Sequence, residues 1–257
     1  MTPTPVANRL YPEVHQALES LRHSVAEARG FDPATSTRRF EVAIPHPLGP
    51  DFALRIRDAA KEAAPGVTMR FDTRTLADDA PALMREGLLD AAVDWIPAED
   101  DRFVNRRIYE DSLVIAARAG HPRARNGMGW RDLAHEEFVR CHRRAPERRP
   151  RALSGKLWDL MAESRLTVSE YLEVPFIISR TDYFGVLPKS MAAIAETEFR
   201  MIIVQVPGPP IRIPIWLVWH EGRRRDAGHR WLRELIHRVL QAMAIELGLL
   251  GEASPAK

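Results

Sequence analysis

A polar, helix-breaking run divides this chain near residue 31. In the stretch Phe31–Pro47, helix-disfavouring residues are followed by a short predicted strand, Arg39–Ile44, and then by a proline-rich loop. The residues before this stretch have the periodicity of one helix, and the residues after it alternate between strand and helix patterns. The chain is therefore predicted to consist of a leading helix and an α/β body.

The leading helix is predicted over residues 9–29. Its apolar residues recur every three or four positions and form a stripe on one helical face: Leu10, Val14, Leu18, Leu21 and Val25. Such a stripe is typical of a helix that packs on its own domain or of a helix that pairs with another chain. Because a linker follows it, we favour a helix that pairs with another chain or carries another domain.

The first half of the body follows a β-α-β-α-β order, which predicts a parallel, doubly wound sheet. Thr75 and Asp78 resemble a capping box that would open the second helix. The predicted elements are strand Arg39–Ile44, helix Asp51–Ala64, strand Val67–Phe71, helix Ala77–Glu86, strand Leu89–Val93 and two further strands, Arg107–Tyr109 and Ser112–Ala117.

The second half repeats the alternation and ends in a long helix. Its predicted elements are helix Trp130–Leu133, strand Phe138–Cys141, helix Ser154–Ser164, strand Leu166–Val168, helix Glu170–Ser179, strand Tyr183–Leu187, helix Lys189–Glu198, strand Met201–Val206, strand Ile211–Trp219 and helix Ala227–Leu247. We expect a linker segment at 1–36, lobe I at 37–119 and 211–247, lobe II at 120–210 and a tail at 248–257. The fold class is α/β with two Rossmann-like lobes.

Composition limits the classes of function. With 257 residues, 45% hydrophobic and 28% charged, the chain can bury a sizeable core and reads as a globular protein. It has no apolar run of about 18–20 residues and no secretory signal pattern, so no membrane partner is expected. A single cysteine, Cys141, fits a reducing compartment, and we expect the cytoplasm. A net charge of +2 is too small to predict nucleic-acid binding by the body.

Motifs for catalysis are not found in the sequence. It contains no phosphate-binding glycine loop, no G-x-G-x-x-G, no H-E-x-x-H and no G-x-S-x-G. The nine histidines show no metal-ligand spacing. We therefore expect no enzyme activity, no cofactor and no metal.

The candidate binding residues follow the ends of predicted strands, where open α/β sheets bind ligands. His46 lies between Pro45 and Pro47, and two prolines would stiffen this loop as a preformed site requires. Trp95 follows the third strand and could line the same crevice or belong to the core.

Four further candidates lie in the second half. Glu170 and Tyr171 are predicted to open a helix at a strand end, although Glu170 could also be a favourable charge in a first helical turn. Thr181 and Asp182 precede a strand and could form a turn or a polar pocket wall. An arginine-rich loop after Cys141 could bind an anion, but a solvated surface loop is the favoured interpretation.

The order of these features resembles a known family. MTPTPVANRLYPEVHQALESLR, FDPATSTRRFEVAI, MREGLLDAAV, EVPFIISRTDYFGVLPKSMA and WLVWHEGRRRDAGHRWLREL resemble, in this order, segments of LysR-type transcriptional regulators. The FDPATS run and the WH-then-HRWLR ending are most similar to the branch that contains the nodulation and aromatic-degradation activators. The resemblance covers roughly residues 2 to 240.

The resemblance implies a periplasmic-binding-protein type II fold, with a small-molecule cleft between two lobes. It implies a cleft lined by Pro45–Pro47, by Thr75 and by Cys141–Arg143, which includes His142. It also implies homodimers or homotetramers that respond to an aromatic or carboxylated effector. Glu170 and Tyr171 stand where the aromatic-responsive branch often has a His-Phe pair, and this departure argues against a salicylate-like carboxylate.

No segment resembles the winged helix-turn-helix of the family, so we expect DNA contact only through such a domain. The resulting hypothesis is a ligand-sensing regulatory domain. One alternative is a solute-binding protein of the same fold, with a role in transport or chemoreception. Another is a two-lobed enzyme with a cofactor on a cysteine, for which Cys141 has no supporting motif.

Overall fold

The computed structural model describes residues 30–45, 49–141, 164–206 and 208–249, together with the single positions 4, 6, 10, 11, 14, 157, 159 and 161. Most of the predicted leading helix lies outside the described residues, although Leu10, Tyr11 and Val14 are helical. The arginine-rich loop after Cys141 and most of the predicted helix Ser154–Ser164 also lie outside them.

The chain forms two compact units. Unit 1 contains residues 1–45, 49–108 and 216–243, and unit 2 contains residues 46–48, 109–215 and 244–257. The boundaries that the sequence predicts at residues 36, 119, 210 and 247 stay a prediction.

Unit 1 begins with three parallel strands. Strand β1 (Arg39–Ala43) lies between β2 (Thr68–Asp72) and β3 (Ala91–Asp94) and is parallel to both. Helix α1 (Gly49–Ala63) connects β1 to β2, and helix α2 (Ala80–Arg85) connects β2 to β3. This part of the fold agrees with the β-α-β-α-β order read from the sequence.

Helix α1 forms because its apolar residues recur at helical spacing. Phe52, Ile56 and Ala60 are buried on one face, and Asp51 in the first turn and Lys61 in the last turn match the helix dipole. Burial of these side chains attaches α1 to the sheet of unit 1.

Two strands run through both units: β4 (Phe103–Arg118) and β9 (Ile211–His220). Strand β9 pairs antiparallel with β3, so the sheet is mixed, and the parallel arrangement predicted from the β-α-β-α-β order holds for β1, β2 and β3. The prediction of two strands at Arg107–Tyr109 and Ser112–Ala117 is wrong, because β4 is one continuous strand of 16 residues. The polar pair Glu110-Asp111 interrupts the apolar pattern without interrupting the strand.

Unit 2 has its own parallel set. Its elements are α3 (Trp130–Leu133), β5 (Phe138–Cys141), β6 (Leu166–Val168), α4 (Glu173–Ile178), β7 (Phe184–Pro188), α5 (Lys189–Glu198) and β8 (Met201–Val204). Strand β5 is parallel to β6 and to β7, while β4 is antiparallel to β7 and to β8.

The chain ends with helix α6 (Ala227–Glu246), which follows a short 3-10 turn at Glu221–Arg223. Leu232, Leu235 and Ile236 are buried on its inner face. The apolar period of the sequence predicts this helix to within one residue at its end.

A cluster of charged and aromatic side chains joins the start of β1 to the start of α6 in unit 1. We call it the anchor cluster: Phe31, Arg38, Asp90, Asp226, His229, Trp231 and Arg233. Arg38 donates two hydrogen bonds to the Asp226 carboxylate, from Nη1 to Oδ1 at 2.7 Å and from Nη2 to Oδ2 at 2.8 Å. Such a bidentate pair is strong and directional because its two bonds are parallel and charge-assisted.

His229 is fully buried within the anchor cluster. Its Nδ1 accepts a hydrogen bond from Arg233 Nη1 at 2.8 Å, and its Nε2 lies 2.9 Å from the backbone oxygen of Asp90. Since arginine can only donate, the ring proton is on Nε2. Burial, together with the nearby Arg233 charge, lowers the pKa of His229 to about 3.

Aromatic rings complete the anchor cluster. The ring of Phe31 lies 5.3 Å from that of Trp231 and 6.3 Å from that of Phe40, measured between centroids. Gly228 permits this packing, because an added Cβ would lie 2.6 Å from Arg38 Nη1 and 2.9 Å from Phe31 Cδ2. The FDPATS and HRWLR stretches, which carried much of the resemblance, therefore meet in one structural cluster.

Candidate functional site

In unit 1, the carboxyl ends of β1, β2 and β3 lie at one edge of the sheet. The register aligns Ala43 with Asp72 on one side and with Ala92 on the other. Pro45 follows β1, Thr75 follows β2 and Trp95 follows β3, so the fold brings three predicted site residues to the same edge.

Asp72 fixes the position of Thr75. Its carboxylate accepts hydrogen bonds from Thr75 Oγ1 at 2.6 Å, from Arg74 N at 2.7 Å and from Thr75 N at 3.3 Å. Burial opposes the ionisation of Asp72, but these hydrogen bonds outweigh it and lower the pKa of the carboxyl group.

The predicted start of this helix at Ala77 is wrong. Helix α2 begins at Ala80, after an Asp79 that makes no side-chain cap. The Thr75 hydroxyl donates backwards to Asp72, because an aspartate two or three residues earlier offers its oxygens to the same turn.

The end of β3 carries a buried carboxylate. Asp94 is 3% exposed, and its Oδ1 accepts a hydrogen bond from Ile96 N at 3.1 Å. Trp95 is half-buried directly after it, and Trp216 of β9 pairs with Asp94 in register. The carboxyl end of β3 therefore carries the indole rings of Trp95 and Trp216 and the Asp94 carboxylate.

In unit 2, the parallel strands β5, β6 and β7 likewise end at one edge. Cys141 is the last residue of β5 and is half-buried, and Glu170 and Tyr171 follow β6. Glu170 is exposed and Tyr171 is half-buried. These three predicted residues share the carboxyl edge of unit 2.

The prediction that Glu170 opens a helix is wrong. Helix α4 begins at Glu173, and the Glu173 Oε2 atom accepts hydrogen bonds from the backbone N–H groups of Ser169 at 3.0 Å and Glu170 at 2.8 Å. These two N–H groups precede the helix and have no backbone acceptor within it, so the Glu173 side chain accepts from them. A turn at Ser169 and Glu170 therefore precedes the helix.

Thr181 and Asp182 lie at the opposite, amino end of β7. Thr181 Oγ1 donates to the Ile177 backbone oxygen at 2.8 Å, just beyond the end of α4. Asp182 forms an ion pair with Arg118 at 2.7 Å. The structure does not bring these two residues to the edge that carries Cys141 and Glu170: Thr181 contacts the end of α4, and Asp182 pairs with Arg118 of β4.

Three predicted site residues, His46, Pro47 and His142, lie outside the described residues.

Sequence reasoning missed a buried pair at the carboxyl end of β7. Asp111 of β4 is 1% exposed, and its carboxylate accepts hydrogen bonds from the Ser190 hydroxyl, from Ser190 N at 3.3 Å and from Ser112 N at 2.7 Å. Burial raises the pKa of Asp111 above its usual value, against the effect of these hydrogen bonds. The available signal was the acidic pair Glu110-Asp111, one residue before the apolar run LVIAA.

Comparison with known proteins identifies the class. The family described as LysR substrate binding domain matches residues 33–241, so this chain belongs to the LysR family. It is 28% identical to the HTH-type transcriptional activator NagR of Ralstonia sp over 244 residues, which cover 91% of this chain and 78% of that one. It is 26% identical to nodulation protein D 1 of Rhizobium meliloti (strain 1021), covering 92% and 76% of the two chains.

Solved structures show the same fold. The "probable transcriptional regulator PA0477" of Pseudomonas aeruginosa aligns with a TM-score of 0.70 at 21% identity, covering 92% of this chain and 78% of that one. The regulatory domain of MetR, a LysR family regulator from N. meningitidis, aligns with a TM-score of 0.64 at 11% identity, covering 85% and 100%. The fold is the periplasmic-binding-protein type II fold, as predicted.

The relatives also decide between the functional alternatives. They are transcriptional regulators, which supports an effector-binding regulatory domain over a transport-type solute-binding protein. Among the described residues, no helix combines the length and the apolarity that a membrane span requires.

Proposed function

We propose that this chain senses a small-molecule effector at the carboxyl ends of its parallel strands and, as part of a LysR-type regulator, converts binding into a change of subunit packing that controls transcription. The observation that supports it most is the grouping of predicted site residues at these edges in a chain of this family. Pro45, Thr75 and Trp95 lie at one edge in unit 1, and Cys141, Glu170 and Tyr171 lie at one edge in unit 2.

Sensing requires that the effector bind one conformational state more tightly than another. Only this difference in binding free energy can shift the population of states. LysR family regulators bind small-molecule effectors and act as oligomers, and a shift in subunit packing is the change that such an assembly can pass to DNA. In this proposal the units themselves bind no DNA, which is left to a winged helix-turn-helix domain, and the protein works in the cytoplasm without catalysis.

Exposed apolar side chains support a homo-oligomer. Leu54 on α1 is 52% exposed, and Leu172 and Phe176 at α4 are 47% and 54% exposed. In the proposed dimer or tetramer these side chains are covered by a second copy of the chain. Phe176→Ser should then weaken self-association in sedimentation equilibrium, whereas Glu196→Gln, on the exposed side of α5, should leave it unchanged.

A thermal-shift screen against small aromatic and aliphatic compounds tests the sensor function. A compound that binds the folded state raises the melting temperature with concentration, by about 2.7 kcal/mol of stabilisation at a hundredfold excess over its dissociation constant. The response should be reduced in Glu170→Gln and Tyr171→Phe.

Asp182→Asn is the matched control, because it removes a charge at the opposite end of the same parallel strands. Loss of the response in Asp182→Asn, with a normal response in Glu170→Gln, would show that the effector binds at the amino ends of the strands and not at their carboxyl ends. A chain that responds to no compound would contradict the sensor function itself.

A further inference from the structure

The segment that leads into unit 1 forms a turn of its own before β1 begins. We call residues 31–38 the entry segment. Within it, the Asp32 carboxylate accepts a hydrogen bond from Ala34 N at 3.0 Å, and the Asp32 backbone oxygen accepts one from Ser36 N at 3.0 Å. Arg38 N donates to Ser36 Oγ at 3.2 Å. These N–H groups therefore bond inside the segment, as in an Asx turn, and the segment has a fold of its own.

Side chains at both ends of the entry segment hold it on α6. At its first residue, the ring of Phe31 packs on that of Trp231. At its last residue, Arg38 donates its two parallel hydrogen bonds to Asp226 and lies 3.9 Å from Asp90. The Arg38 and Asp226 side chains are only 21% and 6% exposed, so this ion pair is screened less than a surface pair and holds the segment more firmly.

Two glycines let the entry segment lie close against unit 1. A Cβ added to Gly66, in the turn between α1 and β2, would lie 2.6 Å from the Ser36 backbone oxygen. A Cβ added to Gly228, in the first turn of α6, would meet Phe31 and Arg38. The segment therefore contacts both the α1–β2 turn and α6 at distances that leave no room for a side chain. Contact this close indicates a defined docked position and not a loosely attached tail.

We propose that the entry segment is a latch: it leaves α6 and the α1–β2 turn as one unit while the sheet of unit 1 stays folded, and in its docked state it fixes the direction in which the chain before Phe31 leaves unit 1. Release breaks the side-chain contacts but not the turn, because the N–H groups of the segment bond inside it. Segments with few backbone hydrogen bonds to the rest of a domain open at lower free energy than its core strands. The inference rests on the proposed function, because it names the element through which a change in unit 1 reaches the residues that precede it.

Distances between pairs of spin labels, measured by double electron–electron resonance, test the latch without any effector. The labels are attached to cysteines introduced at exposed positions of the full chain, after Cys141→Ser removes the native thiol. One pair, Thr35→Cys with Arg238→Cys, spans the entry segment and α6. The second pair, Arg57→Cys with Arg238→Cys, spans α1 and α6 and reports whether unit 1 stays folded.

In the parent, each pair should give one narrow distribution of distances. Phe31→Ala removes one of the rings that hold the segment, and Gly66→Ala places a methyl group against the Ser36 backbone oxygen. Each should add a second, broader population to the first pair and leave the second pair unchanged. Gly129→Ala is the matched control and should change neither pair, because the nearest non-neighbouring heavy atom to its Cβ would be 3.8 Å away.

Two results would overturn the latch. If the first pair keeps one narrow distribution in both variants, the contacts of Phe31 and Gly66 do not hold the segment. If both pairs broaden together, the segment leaves only when unit 1 unfolds. The proposed function fails separately: a parent chain that no compound stabilises contradicts the sensor function whatever the labels show, and a failed latch leaves a ligand response in the thermal-shift screen intact.

Discussion

The two ends of the parallel strands in unit 1 differ in what their polar residues bind. At the amino end, Arg38 of the anchor cluster binds Asp226 across 188 residues of sequence, and His229 binds the backbone oxygen of Asp90 across 139. At the carboxyl end, Asp72 binds the turn that follows it, two and three residues away. The amino end joins distant parts of the chain, and the carboxyl end shapes local turns.

A recognisable sequence motif therefore need not mark a binding site. Phe31 and Arg38 come from the FDPATSTRRFEVAI stretch, and His229 and Trp231 come from the HRWLR stretch. Their side chains are engaged in structure, so their substitution should affect stability and not ligand response. Substitutions at the carboxyl ends should show the reverse pattern.

The largest expected effect is on the anchor cluster. Asp226→Ala removes the carboxylate that accepts both short hydrogen bonds from the largely buried Arg38 and one from the His229 N–H, which should lower the free energy of unfolding by about 3–5 kcal/mol. Urea unfolding monitored by circular dichroism measures it. Glu234→Gln, which removes an exposed ion pair with Arg106, is the control and should change stability by well under about 1 kcal/mol.

A loss in Asp226→Ala no larger than in Glu234→Gln would show that the anchor cluster is not a stabilising element. It would also remove the contrast between the two ends of the strands.

The second prediction concerns Asp111 in unit 2, a buried residue at a carboxyl end. Asp111→Ala leaves the hydroxyl and N–H of Ser190 without their acceptor, and should cost about 2–3 kcal/mol in urea unfolding. Asp111→Asn keeps an acceptor and should cost less.

The raised pKa of Asp111 gives this comparison a pH dependence. A raised carboxyl pKa stabilises the fold below the unfolded pKa, and this contribution is lost as pH rises through the folded pKa. The difference in the free energy of unfolding between the parent and Asp111→Asn should therefore shrink as pH rises above about 4. A difference that is constant with pH would contradict the raised pKa.

Much of the fold follows from sequence because its elements depend on local patterns. The period of Phe52, Ile56 and Ala60 predicts helix α1, and Lys189–Glu198 is predicted without error. The errors occur where a side chain competes with the backbone for hydrogen bonds. The Thr75 hydroxyl donates to Asp72 in the turn before α2, and the Glu173 side chain accepts from the turn before α4, and both helices begin later than predicted.

The site was harder to predict than the fold. That Pro45, Thr75 and Trp95 share an edge follows from parallel strand order, which alternation of strands and helices indicates. That Asp111 reaches Ser190 depends on β4 pairing with β7, a contact across 79 residues that no local pattern contains. Such long-range contacts cannot be predicted from the local hydrophobic period of the sequence.

His229 should make the stability of the chain depend on pH. Its pKa is about 3 in the folded chain and about 6.5 in the unfolded chain, so as pH falls the unfolded state is protonated before the folded state. The contribution of the neutral, buried imidazole to the free energy of unfolding is fully present above pH 6.5 and is lost as pH falls towards 3. The slope should reach about 1.4 kcal/mol per pH unit.

His229→Gln retains a neutral side chain that can donate and accept, and should flatten the slope between about pH 6.5 and 5. Above pH 5, the buried carboxyl Asp90, whose pKa is raised by burial, contributes in the same way to both proteins. Equal slopes in the parent and in His229→Gln would show that His229 is protonated in the fold.

The variants with the smallest expected effect on stability compare a residue at a carboxyl end of the parallel strands with one at an amino end. Thr75→Val removes the hydroxyl donor to Asp72, and Thr181→Val removes the hydroxyl donor to the Ile177 backbone oxygen. Each should lower the free energy of unfolding by about 1 kcal/mol or less, since each loses one hydrogen bond at a partly exposed turn. Only Thr75 lies at a carboxyl end, and its loss raises the pKa of Asp72 and loosens the turn. Thr75→Val should therefore change the thermal-shift response to an effector while Thr181→Val leaves it unchanged. Equal responses in the two variants would mean that the carboxyl edge of unit 1 takes no part in binding, whatever it contributes to the fold.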